Sequence, residues 1–227
     1  KQKLQADTEA ALTAEQQRSQ QLAAKASSLK DLIASLEADK ARKAADQARA
    51  ADRKSADGDT TASTTEPAAP PVPEGNRLTA SAPFAALQGQ VALPVIGKIK
   101  RRFGTDDGNG AMMQGDMVAT QSGAIVTAPA DGNVLYAGPF RSYGQLLILN
   151  AGDGYHVVLA GMSRISVATG QSVLAGEPVG AMGEARVAST SASQNGNATP
   201  ELYVEFRKDG KPVDPAPWWA DRFSGRT

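Results

Sequence analysis

Residues 115–138 read GDMVATQSGAIVTAPADGNVLYAG, and this stretch indicates the fold class of the second half of the chain. Two short runs of apolar and β-branched residues, Ala124–Ala128 and Asn133–Ala137, flank a turn that contains Pro129 and the dipeptide Asp131-Gly132. Short runs of this kind, bounded by Gly, Pro and Asp-Gly, are typical of β-strands. The stretch therefore predicts strands joined by tight turns.

The same pattern continues on both sides of this stretch. Further strand-like runs are Lys98–Phe103, Leu146–Asn150, Tyr155–Ala160 and Leu202–Arg207. No run with helical periodicity interrupts them. Residues 84–227 are therefore predicted to form an all-β domain of short antiparallel strands, arranged as a compact sandwich or open barrel.

Four cations crowd the first of these runs, namely Lys98, Lys100, Arg101 and Arg102. Charged residues are typical of an edge strand, where they discourage pairing with another chain. Contact with an anionic cell-wall polymer or a membrane is the alternative interpretation of the cluster.

The first 57 residues have a different composition, without aromatic residues, Gly or Pro, which is typical of a long helix. Its apolar residues recur with heptad spacing: Leu22, Ala26, Leu29, Ile33 and Leu36. A single continuous helix of this length would extend about 85 Å at about 1.5 Å per residue. We predict a helical coiled-coil arm that needs a partner strand; a solvated charged helix is the alternative.

Three segments follow from these changes in composition. They are the helical arm over residues 1–57, a Pro/Thr/Ala-rich linker over residues 58–83 and the β domain over residues 84–227. Within the last segment, residues 184–199 are polar and are predicted to form a loop.

The overall counts exclude several classes of function. The 24 Lys+Arg residues balance 24 Asp+Glu residues, which argues against a nucleic-acid binder. Without cysteine there are no disulfides and no thiolate zinc ligands, and the single histidine, His156, argues against a His-based metal site. No stretch of 18 apolar residues is present, and no signal-peptide pattern appears in these residues.

Three stretches in order carry a resemblance to a known family. They are residues 115–138, residues 143–183 with YGQLLILN and VATGQSVLAGEPVGAMG, and residues 201–218 with ELYVEFRKDGKPVDPAPW. Together they resemble the lysostaphin/LytM-type peptidase domain over roughly residues 94–220. With the helical arm and the linker in front, the chain is similar to the EnvC-like murein hydrolase activators.

The resemblance also shows which catalytic groups are missing. Active members hold zinc with a His-x-Gly-x-Asp motif and a His-x-His pair, assisted by a His near the middle of the domain. Aligned on Gly115, the first His and the Asp correspond to Met113 and Met117, the middle His to Gly161, and the pair to Glu201 and Tyr203. Thioethers are poor zinc ligands and Gly has no side chain. We expect a catalytically inactive domain without a cofactor.

Two remaining polar residues lie near these positions but out of register. Asp116 is one residue from the ligand position, so on a strand it is predicted to face the opposite side of the sheet. His156 lies five residues before Gly161, and the same alternation predicts that it faces away. A new metal site from His156, Glu201 and Asp116 is the less favoured alternative.

The resemblance implies a function without catalysis. Degenerate domains of this kind bind and activate peptidoglycan amidases, which carry their own zinc and cleave the bond between N-acetylmuramic acid and the stem peptide. The helical arm is implied to dock on an FtsEX-like membrane complex. These implications place the protein in the periplasm, with binding to peptidoglycan itself as an option and none to nucleic acid.

The residues predicted to bind the partner line the former metal groove. Tyr203 would supply an aromatic anchor and Arg207, four residues on, a partly exposed guanidinium on the same face of the strand. The full predicted set is Tyr203, Arg207, Met113, Met117, Gln114, Gly161, Met162 and Glu201. The alternative for Tyr203 and the methionines is that they fill the space left by zinc, whereas Trp218 and Trp219 are predicted to close the core.

Three other functions stay open at this point. An active zinc endopeptidase is opposed by the substituted ligands. A periplasmic adaptor of a transport system would explain the turns APADG and GQSVLAG but not residues 201–218. Passive binding of glycan strands is compatible with the activator function.

Overall fold

The computed structural model describes residues 13–22, 28–56, 83–108, 110–183 and 199–220. Helix α1 covers residues 13–22 and helix α2 covers Leu29–Ala56, and 3₁₀ turns lie at Phe84–Leu87 and Arg141–Tyr143. The strands are β1 Gly97–Arg101, β2 Asp116–Thr120, β3 Ile125–Thr127, β4 Gly132–Pro139, β5 Gln145–Gly152, β6 Tyr155–Met162, β7 Arg164–Ile165, β8 Ser172–Val173, β9 Pro178–Ala181, β10 Glu201–Lys208 and β11 Lys211–Val213.

The strands form two antiparallel sheets. The larger, eight-stranded sheet has the order β1-β2-β10-β6-β5-β4-β8, with β11 added beside the end of β10, and the smaller has the order β3-β9-β7. All pairings between these strands are antiparallel. The predicted mainly β, antiparallel fold is confirmed, and the cationic strand β1 does lie at the edge of the large sheet.

The inner face of the large sheet packs on the small sheet. On β10 this face carries Leu202, Val204 and Phe206, which belong to one apolar cluster with Val126 of β3 and Val179 of β9. Trp218 and Trp219 are buried in the same cluster, as predicted. This alternation of buried residues along β10 leaves every second side chain, beginning with Glu201, on the outer face of the sheet.

The outer face of the large sheet is partly covered by helix α2. Residues Leu29, Leu32, Ile33 and Leu36 of the helix are buried in a second apolar cluster with residues of β4, β5 and β6, among them Ile148 and Val158. Their spacing of three and four residues places them on one side of the helix. Strands β5 and β6 are therefore buried on both faces, which explains their nearly continuous apolar sequences.

The apolar stripe of the arm therefore packs on the chain's own sheet and not on a partner helix. Leu29, Ile33 and Leu36 lie against the sheet, and Leu22 of α1 packs against the same cluster. Ala26 lies outside the described residues. The expectation that this stripe needs a partner strand is wrong, because the chain's own β domain buries it.

Helices α1 and α2 lie side by side rather than in one line. Nη2 of Arg18 is 2.7 Å from Oδ1 of Asp39, and Nζ of Lys43 is 2.9 Å from Oε1 of Glu15. Residue numbers on α1 fall as those on α2 rise, so the two helices are antiparallel. A single 85 Å helix is therefore not formed. Residues 58–82 of the predicted linker and residues 184–198 of the predicted loop lie outside the described residues.

Candidate functional site

A cavity of about 590 Å³ opens on the outer face of the large sheet. Its walls come from the segment before β2, from β2 itself, from β6 and β10, and from the 3₁₀ turn at Arg141–Tyr143. We call it the groove. Six residues of the predicted site line it, namely Met113, Gln114, Met117, Gly161, Glu201 and Tyr203. The structure therefore brings together most of the residues that the sequence selected.

Strand pairing explains why these residues meet. Met117 of β2 is the register partner of Tyr203 in β10, and Tyr203 is also the partner of Ala160 in β6. Directly opposed residues in antiparallel strands project from the same face of the sheet. Three strands that are distant in sequence thus place their side chains side by side along the floor of the groove.

The side chain of Tyr203 is held by Glu205 and Tyr143. Its hydroxyl donates a hydrogen bond to Oε2 of Glu205 at 2.7 Å, and its ring lies 6.2 Å from that of Tyr143, centroid to centroid. Burial raises the pKa of Tyr203, and the nearby Glu205 carboxylate raises it further. Tyr203 is therefore a neutral phenol whose hydroxyl points into the protein.

Arg207 does not line the groove. It is 4% exposed, and its Nη1 atom donates to Oε1 of Glu205, a residue with no exposed surface. Its Nε and Nη2 atoms donate to the carbonyl of Gly210 at 3.3 and 3.0 Å. The prediction of a partly exposed guanidinium is wrong, because the buried Glu205 carboxylate recruits the arginine as its counter-ion.

Glu205 itself was not selected from the sequence. Burial raises its pKa, whereas the charge of Arg207 and the hydrogen bonds from Tyr203 and Arg207 oppose that rise. Its position in the sequence does indicate these contacts. It lies two residues after Tyr203 and two before Arg207, so the three side chains share one face of the strand. Met112, which lines the groove and is 64% exposed, was also missed.

Gly161 has a backbone requirement of its own. Its φ of +99° lies in a region that L side chains rarely adopt, and an added Cβ would lie 2.7 Å from the carbonyl oxygen of Glu201. It is skipped in the pairing of β5 with β6, where Ala160 and Met162 have consecutive partners. Met162 was also predicted to line the groove, but it is 4% exposed and belongs to the apolar cluster on the inner face of the sheet. It lines only a neighbouring cavity.

Glu201 is held by two cations from the edge strand. Its Oε1 lies 2.5 Å from Nζ of Lys100 and its Oε2 lies 3.0 Å from Nη2 of Arg101. Neighbouring residues on a regular strand face opposite sides, but the β1–β2 register shifts between Ile99 and Arg101. The irregularity lets both cations reach one carboxylate, which neutralises Glu201 at the rim of the groove.

Asp116 faces the core, as predicted. It is fully buried, and its carboxylate accepts hydrogen bonds from the backbone N–H of Phe103 at 2.8 Å and from Nε1 of Trp219 at 2.7 Å. Burial raises the pKa of Asp116, although both hydrogen bonds lower it. Its role is to tie the segment after β1 and the C-terminal tryptophan to β2.

His156 lies on the outer face, contrary to the prediction. It is the register partner of Arg207, and its Nε2 lies 2.9 Å from Oε1 of Glu37 on helix α2. Because Gly161 has no partner in β5, side chains do not alternate regularly between positions 156 and 161. A prediction from regular alternation therefore assigns His156 to the wrong face of the sheet. His156 is buried under α2 and is not among the residues that line the groove.

The groove residues do not fit a zinc ion. At the positions matched to ligands, the structure places two thioethers and a phenol that is already hydrogen-bonded to Glu205. Thioether and neutral phenol groups are poor ligands for zinc, which prefers thiolate, imidazole and carboxylate. In the described ranges, no three His, Asp or Glu side chains are grouped closely enough to hold a metal.

Residues 111–215, which span β2 to β11 and thus the strands of the groove floor, match the sequence profile of Peptidase family M23. The chain contains a peptidase M23 domain. At the positions that the resemblance matched to zinc ligands, this segment carries Met113, Met117 and Tyr203.

Relatives of the chain carry names that describe activators. Over 145 residues the chain is 28% identical to "Murein hydrolase activator EnvC" of Escherichia coli K12, covering 64% of this chain and 32% of that protein. Over 156 residues it is 33% identical to "Murein hydrolase activator NlpD" of Salmonella typhimurium LT2, covering 68% of this chain and 35% of that protein. The chain spans about a third of the length of these relatives.

Among solved structures, the chain is similar to a zinc-containing peptidase from Vibrio cholerae. The identity is 23%, the match covers 59% of this chain and 41% of that one, and the TM-score is 0.45. No helix within the described residues is both long enough and apolar enough to cross a membrane.

Proposed function

We propose that this protein is a non-enzymatic activator of peptidoglycan amidases, that is, N-acetylmuramoyl-L-alanine amidases, in cell-wall cleavage and cell division. The observation that carries the proposal is the groove, which remains open on an M23 scaffold although the residues at its ligand positions do not suit zinc. The activator names of the relatives support the same function.

The lining of the groove suits a protein partner. Met112, Met113 and Met117 offer flexible, polarisable side chains that adapt to an apolar surface. Tyr143 and Tyr203 add two aromatic rings to the same lining. We infer that the amidase inserts an apolar segment into the groove, so that binding free energy shifts the amidase toward its active state.

The chemistry then belongs to the amidase. This protein supplies contacts that are stronger in the active form of the amidase than in its resting form, because a ligand that binds both forms equally shifts nothing. In the proposal the activator works in the periplasm, and its helical arm docks on an FtsEX-like membrane complex that confines activation to the site of division.

Dye release from labelled sacculi tests this function. We expect release from a mixture of this protein with a competent amidase and little from either protein alone. The variant Tyr203→Ala should abolish the stimulation. The matched control Ile125→Ala, at a 58% exposed residue of the small sheet, should leave it unchanged.

Two outcomes would contradict the proposal. Release by this protein alone, abolished by a chelator, would indicate an active zinc endopeptidase. Absence of release in every mixture, with the amidase shown to be competent by another activator, would leave a binding or adaptor role. Co-sedimentation with unlabelled sacculi separates direct peptidoglycan binding from activation.

A further inference from the structure

Three side chains on the outer face of β10 form one connected polar chain. Arg207 donates to Oε1 of Glu205, and Oε2 of the same carboxylate accepts the hydroxyl hydrogen of Tyr203 at 2.7 Å. The other guanidinium nitrogens donate to the carbonyl of Gly210. We call Tyr203, Glu205 and Arg207 the β10 polar row. It runs from the buried end of the strand to the floor of the groove.

Stability alone does not account for this arrangement. Glu205 has no exposed surface and Arg207 is 4% exposed, so both charges have lost their contact with water. The cost of removing two charges from water largely cancels their attraction, and a buried ion pair is often no more stabilising than apolar residues of similar volume. We therefore ask which other side chain this buried pair holds in place.

Tyr203 is the group that the pair reaches. It is the only member of the β10 polar row that lines the groove, as far as the described residues show. With its hydroxyl held by Glu205, the ring cannot rotate its polar end toward the groove without breaking a hydrogen bond to a buried carboxylate, which is costly. The ring is therefore presented to the groove in one orientation, beside Tyr143.

We propose that Glu205 and Arg207 are positioning residues that fix the ring of Tyr203 for the partner, and that Arg207 never touches the partner. This inference rests on the proposed function, since it assigns roles within the same groove. It also predicts that the partner meets Tyr203 through the ring face, with an apolar side chain, because the hydroxyl is already engaged inside the protein.

The first test needs no partner. The double variant Glu205→Leu with Arg207→Met replaces the pair by apolar side chains of similar length, and NMR of ring-labelled tyrosine follows Tyr203, assigned by its loss in Tyr203→Phe. We expect one ordered ring environment in the parent protein and an averaged, shifted signal in the double variant, with a thermal midpoint that does not fall. An unchanged Tyr203 signal in the folded double variant would overturn the proposal.

The second test measures binding of a purified amidase by calorimetry. We expect the double variant to bind about tenfold more weakly, within the range of couplings between contacting residues. In the Tyr203→Phe background, which has no hydroxyl to hold, the same double substitution should cause no further loss. Equal losses in both backgrounds would mean that Arg207 or Glu205 contacts the partner directly.

Misfolding of the double variant and absence of amidase binding can be told apart from failure of the proposal. If the double variant does not fold, Tyr203→Phe alone still decides, because it removes only the hydroxyl: full affinity for the amidase would overturn positioning. If the parent protein binds no amidase, the proposed function fails, while the ring measurement still determines whether the pair orders Tyr203.

Discussion

Nη1 of Arg207 lies 2.5 Å from Oε1 of Glu205, and both side chains are buried. Removing one member of such a pair leaves the other charge without compensation in the interior, which costs about 3–5 kcal/mol. We therefore expect Arg207→Ala to lower the free energy of unfolding by about this amount, measured by urea denaturation.

Lys211 provides the control for this substitution. It is exposed on β11, next to Pro212, the register partner of Arg207, and its replacement by Ala should change stability by less than about 0.5 kcal/mol. A loss below about 1 kcal/mol for Arg207→Ala would show that Glu205 becomes protonated or finds another partner at little cost.

Gly161 should not tolerate even a methyl group. A Cβ would lie 2.7 Å from the carbonyl oxygen of Glu201, and the backbone has positive φ. Overpacking adds about 1–3 kcal/mol to the conformational cost. Gly161→Ala should therefore lower the thermal midpoint more than Gly176→Ala, where φ is also positive but nothing lies within 4 Å of the added Cβ. Equal effects would mean that the Glu201 carbonyl moves aside freely.

The contact of helix α2 with the sheet should weaken in acid. Partial burial of Glu37 opposes its ionisation, but hydrogen bonds with His156 and Asn150 outweigh this and lower the pKa of Glu37 below its usual value of 4.5. A lowered carboxyl pKa adds stability that is fully present above pH 4.5 and is lost as the pH falls through the folded-state pKa.

The substitution Glu37→Gln isolates this contribution. Because the carboxylate side chain is 37% exposed, we expect a difference below about 1 kcal/mol. Denaturation of both proteins from about pH 3 to about pH 6 spans the carboxylate titration. Parallel stability curves for the two proteins would show that the contact with His156 does not contribute.

Leu32 should anchor α2 to the sheet. It has no exposed surface and lies in the apolar cluster between the helix and strands β4, β5 and β6. Truncation to Ala should cost about 2–5 kcal/mol of that contact, seen as faster hydrogen exchange in α2 while β6 stays protected. Gln47→Ala, at an exposed position of the same helix, is the control. Unchanged exchange in α2 would mean that the contact does not depend on Leu32.

Much of the β domain could be predicted from local sequence. The six predicted runs all correspond to strands, because Gly, Pro and Asp-Gly punctuate them clearly. Strand β2, Asp116–Thr120, was missed, since its inward positions include the polar residues Asp116 and Thr120, whose burial depends on partners distant in sequence. The pairing of β10 with β2 and with β6 brings Met117, Gly161, Glu201 and Tyr203 together in the groove, and the segment just before β2 adds Met113 and Gln114.

Residue type and spacing along the chain were enough to predict six of the eleven strands in the described residues, the family resemblance and the lack of suitable zinc ligands at the matched positions. Which charges are buried, and which surface each apolar stripe covers, depends on the folded chain. Arg207 is buried on the outer face of the sheet because Glu205 requires a counter-ion, and the leucines of α2 lie on the sheet because its outer face is apolar. Both outcomes depend on contacts between surfaces that the chain brings together only on folding.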